Sequence, residues 1–309
     1  MDLDLITIAK RGSLGQLLTK SYKSTSDKLS TIKNFAIKIE NSSEFSIGEK
    51  EHNRAFAIIS AVSIFENYLN DILFNLLISF PKKFGKKQFE IEELKEEGSL
   101  LALFEKKASQ TILELAYGKF DAYLDKFSKI AELTEKITIE KIEIVNEIKL
   151  TRDVYIHNDG KTNYIYLQKA GQKSRIGKEN EILPIDISYA TTSIDHIADL
   201  LQEIFNKIPA NYKNSSYRRV FKIMWENTCL NRRVKFETAW EVLNEETFTI
   251  KDNKTEYGFS HSEVEVYKMF KDIYLGTNTT DFGYLFRRWN PKSKEHQIAL
   301  SWLNYPFWL

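Results

Sequence analysis

Ala57-Ile58-Ile59-Ser60-Ala61-Val62-Ser63-Ile64-Phe65-Glu66-Asn67-Tyr68-Leu69-Asn70-Asp71-Ile72-Leu73-Phe74-Asn75-Leu76-Leu77-Ile78-Ser79-Phe80-Pro81 is the stretch that decides the fold. Ala57, Ile58, Ala61, Ile64, Phe65, Tyr68, Leu69, Ile72, Leu73, Leu76 and Leu77 recur at steps of three and four. That is the period of a helix with one wide apolar face. The stripe is broader than a coiled-coil seam, so it belongs at the centre of a bundle. The spacing predicts one helix over roughly Lys50 to Phe80, stopped by Pro81, which has no amide hydrogen to donate. Glu66, Asn67, Asn70, Asp71 and Asn75 interrupt the apolar run, which argues for a buried helix rather than a membrane span.

Composition agrees with a helical protein. The 309 residues include only 12 Gly and 5 Pro, and few breakers favour helices over turn-rich β architecture. Charges nearly cancel, 44 Lys and Arg against 43 Asp and Glu, which excludes a strongly basic nucleic-acid coat but not a local patch. The single cysteine, Cys229, excludes an internal disulfide framework and a cysteine-based zinc site. A reducing, cytoplasmic setting is therefore expected. Met1 to Lys10 has no basic segment leading into an apolar core, so it does not read as a signal peptide.

Outward from the central helix, residues 1–48 read as helical pieces packing on the bundle. After Pro81, Lys82, Lys83, Lys86 and Lys87 form a basic loop, either a solvated connection or a phosphate-contacting segment. Helices are predicted near 99–116, 119–131 and 139–157. Gly160 suits the left-handed end of the last of these. Alternation in Tyr164-Ile165-Tyr166-Leu167 and over Ile182 to Ile187 hints at strands. A closing helix is predicted from about Ser193 to Ile208, ending at Pro209. Half of the 40 aromatic residues, including all five Trp, lie after Pro209. A boundary is therefore placed near 209–216, dividing a domain over 49–209 from a mainly helical, aromatic-rich one over 210–309. In that last segment 15 Lys or Arg stand against 12 Asp or Glu. Pairs such as Arg218-Arg219, Arg232-Arg233 and Arg287-Arg288 sit among aromatics. This fits either a single-strand binding groove or an aromatic core under a charged surface. The tail Trp302 to Leu309 is apolar enough to be expected to pack against protein.

No Walker A loop, dinucleotide-binding glycine pattern, H-E-x-x-H or G-x-S-x-G is present. His52, His157, His196, His261 and His296 are too scattered for a contiguous metal motif, and no metal or cofactor is expected. The remaining chemistry lies in Thr151-Arg152-Asp153-Val154-Tyr155-Ile156-His157-Asn158-Asp159-Gly160 at the end of a predicted helix. The Arg–His spacing is weak as a bare pattern. Ten Arg and five His in a chain of this length meet it by chance about once in six such chains. A histidine capping the helix end, with Arg152 in a surface ion pair, accounts for it equally well.

The context adds to the pattern. Arg152, a polar residue directly after it (Asp153), His157 four residues further on, and the ending His157-Asn158-Asp159-Gly160 resemble the signature of the HEPN superfamily. The stretch Ser60 to Leu69, with its embedded Glu66, is similar to that family's core helix. The resemblance covers roughly residues 50–208 and does not extend to the last hundred. It implies an all-α, HEPN-like helical bundle and a homodimer whose motifs face across a two-fold axis. It also implies a metal-independent endoribonuclease of a prokaryotic defence or toxin type. RNA would be the substrate, with an antitoxin or defence-system protein as partner and no membrane involved. Histidine titrates near neutrality and can act as base or acid. The arginine fork matches phosphate oxygens. Arg152 and His157 are thus the implied catalytic pair, and Asp153 and Asn158 orient the histidines or the substrate. Asp153 could equally neutralise Arg152, which leaves a non-catalytic dimerisation or RNA-binding module as the alternative. A plain helical interaction protein is the third reading. Some family members carry a Tyr two residues after the His as a nucleotidylation target. Here Asp159 stands there, and Tyr155 lies inside the motif.

Overall fold

The computed structural model describes residues 3–85, 93, 100–213, 217–244, 247–250, 257–276 and 280–304. The chain is an all-α protein, with one β-hairpin among the described residues. Helix α1 spans Leu3–Asn41 and α2 Ile47–Ser79. Next come α3 (Leu100–Ala116), α4 (Phe120–Ala131), α5 (Ile139–His157), α6 (Tyr164–Ala170) and α7 (Ile187–Lys207). The C-terminal part holds α8 (Ala210–Lys213), α9 (Tyr217–Glu226), α10 (Leu230–Arg233) and α11 (Phe236–Ala239). The hairpin of β1 (Trp240–Asn244) and β2 (Thr247–Ile250) follows, then α12 (His261–Leu275), α13 (Phe282–Arg288) and α14 (Lys294–Asn304).

Two compact units are built from these elements, and neither is continuous in sequence. One comprises Leu18–Leu76 with Lys107–Ala210; the other comprises Met1–Leu17, Leu77–Lys106 and Asn211–Leu309. They do not follow the three consecutive segments 1–48, 49–209 and 210–309 expected above, although one division falls between Ala210 and Asn211.

In the first unit α2 is the central element. Of its eleven predicted stripe positions, all but Ile64 are buried. Burying each Leu, Ile or Phe side chain contributes about 1.5–3 kcal/mol relative to leaving it exposed. Helix α2 ends at Ser79, and Pro81 opens a short 3-10 turn, Pro81–Phe84. The helix is long and apolar enough to cross a membrane, and half of its most apolar window is buried inside the protein. Tyr22 stacks on Phe205 at 4.2 Å, Phe65 meets Phe120 edge-on at 6.5 Å, and the Tyr123 hydroxyl donates to Asn70 at 2.9 Å.

Three local expectations change. Residues 3–41 form one helix and not pieces, since Gly12 and Gly15 alone do not stop it and no Pro intervenes. Tyr164 to Leu167 is not a strand but the start of α6. The Asn163 side chain caps it by accepting from Tyr166 N at 2.9 Å, and Tyr166 and Ala170, four apart, are buried together. Ile182 to Ile187 makes a single bridge, Lys161 with Ile182. It gives way to α7, which starts six residues earlier than predicted because Asp186 caps it, accepting from Tyr189 N at 2.6 Å.

The aromatic C-terminal third is a core. Phe221, Trp225, Phe236, Trp240 and Phe270 are fully buried and meet largely edge-to-face, with Phe221 5.0 Å from Trp240 and Trp225 5.3 Å from Phe270. The five are therefore not available as a stacking platform for bases. The hairpin pairs Trp240 with Ile250 and Val242 with Phe248, using β-branched and aromatic residues that suit a strand. In the apolar tail Trp302 is buried, while residues 305–309 lie outside the described residues, as do Lys86 and Lys87.

Candidate functional site

All four implied site residues come from the last turns of α5 and its exit. Thr138 precedes the helix, and Val145, Ile148, Leu150 and Val154 anchor it in the core. Positions five apart on a helix differ by about 140°, so Arg152 and His157 leave α5 in different directions. Arg152 turns inward, with its side chain only 15% exposed, and pairs with Glu66 of α2. Its second terminal nitrogen lies 3.0 Å from Asp153 Oδ1, and its buried Nε has no hydrogen-bond partner. Lys149, one turn earlier, takes the other oxygen of Glu66. The result is a charge-balanced cluster of Lys149, Arg152, Glu66 and Asp153.

His157 is the last residue of α5 and is exposed. Among the described residues no hydrogen bond ties its imidazole to Arg152, Asp153 or Asn158. Asn158 ends the helix: its amide donates to Val154 O at 2.9 Å, and its side chain donates to the Lys161 carbonyl. The structure thus joins Arg152 to Asp153, and sets His157 and Asn158 apart from them. Asp159 and Gly160 follow in the left-handed region, with φ of 51° and 74°. Gly160 N returns to Val154 O at 3.2 Å, and a side chain at Gly160 would press on the Tyr155 ring at 3.2 Å. Glycine is thus favoured both by its φ and by the close approach of the Tyr155 ring.

Sequence reasoning missed a second polar cluster on the opposite face of α5. Glu147 is 5% exposed and accepts from Thr151 Oγ1 at 2.9 Å, Tyr166 OH at 2.8 Å and Arg175 Nε at 3.1 Å, while its other oxygen accepts from Tyr189 OH at 2.6 Å. The Arg175 guanidinium lies over the Tyr189 ring, 3.5 Å from its centre, and also donates to the Pro184 carbonyl. Burial, then the nearby Glu147 charge, pushes the Tyr189 hydroxyl well above its ordinary range. This network fastens the segment after Gly160 to the helix that carries Arg152. The Tyr155 hydroxyl is likewise committed, donating to Leu183 O at 2.7 Å, and burial raises its pKa.

The signal for Glu66 was visible as a carboxylate embedded in an apolar helix, which needs a cationic partner wherever it is partly buried. Glu147 gave no such signal, because the flanking sequence Ile142 to Ile148 mixes charged, polar and apolar residues. Among the described residues no three His, Cys, Asp or Glu side chains gather as a cation site.

No protein-family model, curated protein or solved structure matches this chain.

Proposed function

We propose that the protein is an endoribonuclease that cuts RNA without a metal ion, with Arg152 and His157 as its catalytic residues in a HEPN-like domain. The observation that carries the reading is His157: an exposed imidazole at the end of a core helix, five residues after an arginine that a carboxylate-lined cluster holds in place. In this reaction the ribose 2′-OH loses its proton to a base and attacks the adjacent phosphorus. The bond to the 5′ oxygen breaks, and that oxygen takes a proton from an acid. The products are a 2′,3′-cyclic phosphate and a free 5′-OH. One histidine can supply one of these proton transfers at a time, so two facing copies of α5 would supply both. Asn158 and Asp153 hold the ends of the motif, and the arginine charge stabilises the phosphorane-like transition state. RNA is the substrate, a homodimer the active form, and the cytoplasm the setting, with an antitoxin or defence-system protein as regulator.

The test is cleavage of single-stranded RNA by the full chain with EDTA present. His157→Ala should lower the rate by about two to four orders of magnitude. Arg152→Lys should also be damaging, because an ammonium lacks the bidentate fork. DNA, which lacks the 2′-OH, should resist. Full activity in His157→Ala, or strict dependence on added Mg²⁺, would overturn the reading.

A second reading has its own support. Both terminal nitrogens of Arg152 face carboxylates, Glu66 and Asp153, as expected of an arginine that holds two helices together. On that reading the domain binds RNA or dimerises without cutting. RNA binding that survives His157→Ala, with no cleavage by the wild type, would favour it.

A further inference from the structure

Lys149 and Arg152 are three residues apart on α5, which places them about 60° apart around the helix, on one face. Their cationic ends converge on a single group, the Glu66 carboxylate, each taking one oxygen. Two cations gripping the two oxygens of one anion is also how proteins hold a phosphate. Glu66 comes from another helix, is 29% exposed, and stands among buried Phe65, Tyr68 and Leu69. Its carboxylate is therefore delivered to the cation pair from outside α5. Both side chains reach the surface in part, Lys149 24% and Arg152 15% exposed, while the Arg152 Nε is buried and has no hydrogen-bond partner.

We infer that Lys149 and Arg152 form an oxyanion site for a phosphate group, which the Glu66 carboxylate occupies in the free protein and which a phosphate must displace. The ligand is a phosphate oxyanion, presented by a nucleic-acid backbone or as a free phosphate. Lys149 becomes a phosphate-contacting residue, and Glu66 a built-in competitor that keeps Arg152 neutralised until substrate arrives. Asp153 stays on the other terminal nitrogen of Arg152, so the arginine keeps its orientation when Glu66 leaves. The inference rests on reading Arg152 as a phosphate-binding group.

The experiment measures binding to the full chain of a single-stranded 2′-O-methyl oligoribonucleotide, which cannot be cleaved by 2′-OH attack. Inorganic phosphate serves as a second probe. Glu66→Gln removes the competing charge and keeps the shape. Oligonucleotide affinity should rise, and the slope of log affinity against log salt should steepen by about 0.7, for the one further phosphate neutralised. Adding Lys149→Gln to Glu66→Gln should reduce that increase in affinity. A merely structural ion pair would lose stability on substitution without steepening the salt slope. Where Glu66→Gln does not unfold cooperatively, Glu66→Asp, with its shorter arm, should give an intermediate increase. Tightening for phosphate alone assigns a free phosphate as ligand, and tightening for both assigns a backbone. Unchanged affinity and slope in a folded Glu66 variant, for both probes, would overturn the site. Tighter binding in Glu66→Gln with no cleavage by any variant keeps the oxyanion site and removes the nuclease. Cleavage by the wild type with no binding change in Glu66→Gln removes the site and keeps the nuclease.

Discussion

At the scale of single residues, buried hydroxyls behave differently according to their partners. Tyr68 is 1% exposed, and its hydroxyl has no hydrogen-bond partner. Tyr189, also largely buried, donates to the Glu147 carboxylate at 2.6 Å. A buried hydroxyl without a partner costs free energy, whereas one bonded to a charged group contributes about 1.5–3 kcal/mol. Tyr68→Phe should therefore stabilise the protein by about 1 kcal/mol or leave it unchanged, and Tyr189→Phe should destabilise it by about 1.5–3 kcal/mol. Urea unfolding midpoints read both; a matching loss in the two variants would contradict the contrast. Glu203 adds a pH dependence. Burial alone would raise its carboxyl. Hydrogen bonds from Lys207, Lys141 and Thr138 outweigh that and bring it from an ordinary 4.5 down to about 2. A carboxyl lowered on folding contributes stability above its unfolded pKa, and that contribution is lost as pH falls through the folded value. Stability should thus decline between about pH 4.5 and 2, and Glu203→Gln should flatten that part of the profile.

At the scale of elements, the exit from α5 is the most constrained point near the candidate site. One of its last carbonyls, Val154 O, accepts from both Asn158 N and Gly160 N, and Gly160 O accepts from Leu183 N at 2.9 Å. Gly160 has φ of 74°, and an added methyl would meet the Tyr155 ring at 3.2 Å. A non-glycine residue in the left-handed region costs about 1–2 kcal/mol. Gly160→Ala should therefore lower unfolding stability by at least that amount, since the ring must also shift. An Ala variant as stable as wild type would show that the turn relaxes freely. The helix itself was legible from its apolar spacing and from this glycine. The α6 helix was not: four alternating residues at Tyr164 to Leu167 carry the same local pattern as a strand. Only the Asn163 cap and the burial of Tyr166 beside Leu150 and Val154 select the helix.

At the scale of the molecule, the two units bury different kinds of core. One is aliphatic around α2, and the other is aromatic around Trp225 and Trp240. The aromatic–basic interleaving after Pro209 was ambiguous in sequence, since a core and a stacking groove call for the same residues. Burial of the large rings resolves it toward a core. Ile156 beside His157 in sequence, and Tyr164, Ile165 and Ile182 in the segment that follows, are exposed apolar side chains. The proposed nuclease needs two motifs, so light scattering at micromolar concentration should give twice the chain mass. A strictly monomeric chain at that concentration would count heavily against the composite site.

What the amino-acid sequence determined by itself was local: where the long helices of the first 160 residues lie, which face of α2 is buried, and where Pro81 and Gly160 end their helices. These depend on residues within a turn or two of each other, so periodicity and breakers report them directly. The tertiary structure alone decided which charges meet. Arg152 and Glu66 are 86 residues apart, and Glu147 and Tyr189 are 42 apart. Their pairing depends on how α2, α5 and α7 pack. Whether a carboxylate meets two cations, as Glu66 does, or one cation with two tyrosines and a threonine, as Glu147 does, is decided by the segments that packing brings within hydrogen-bond reach.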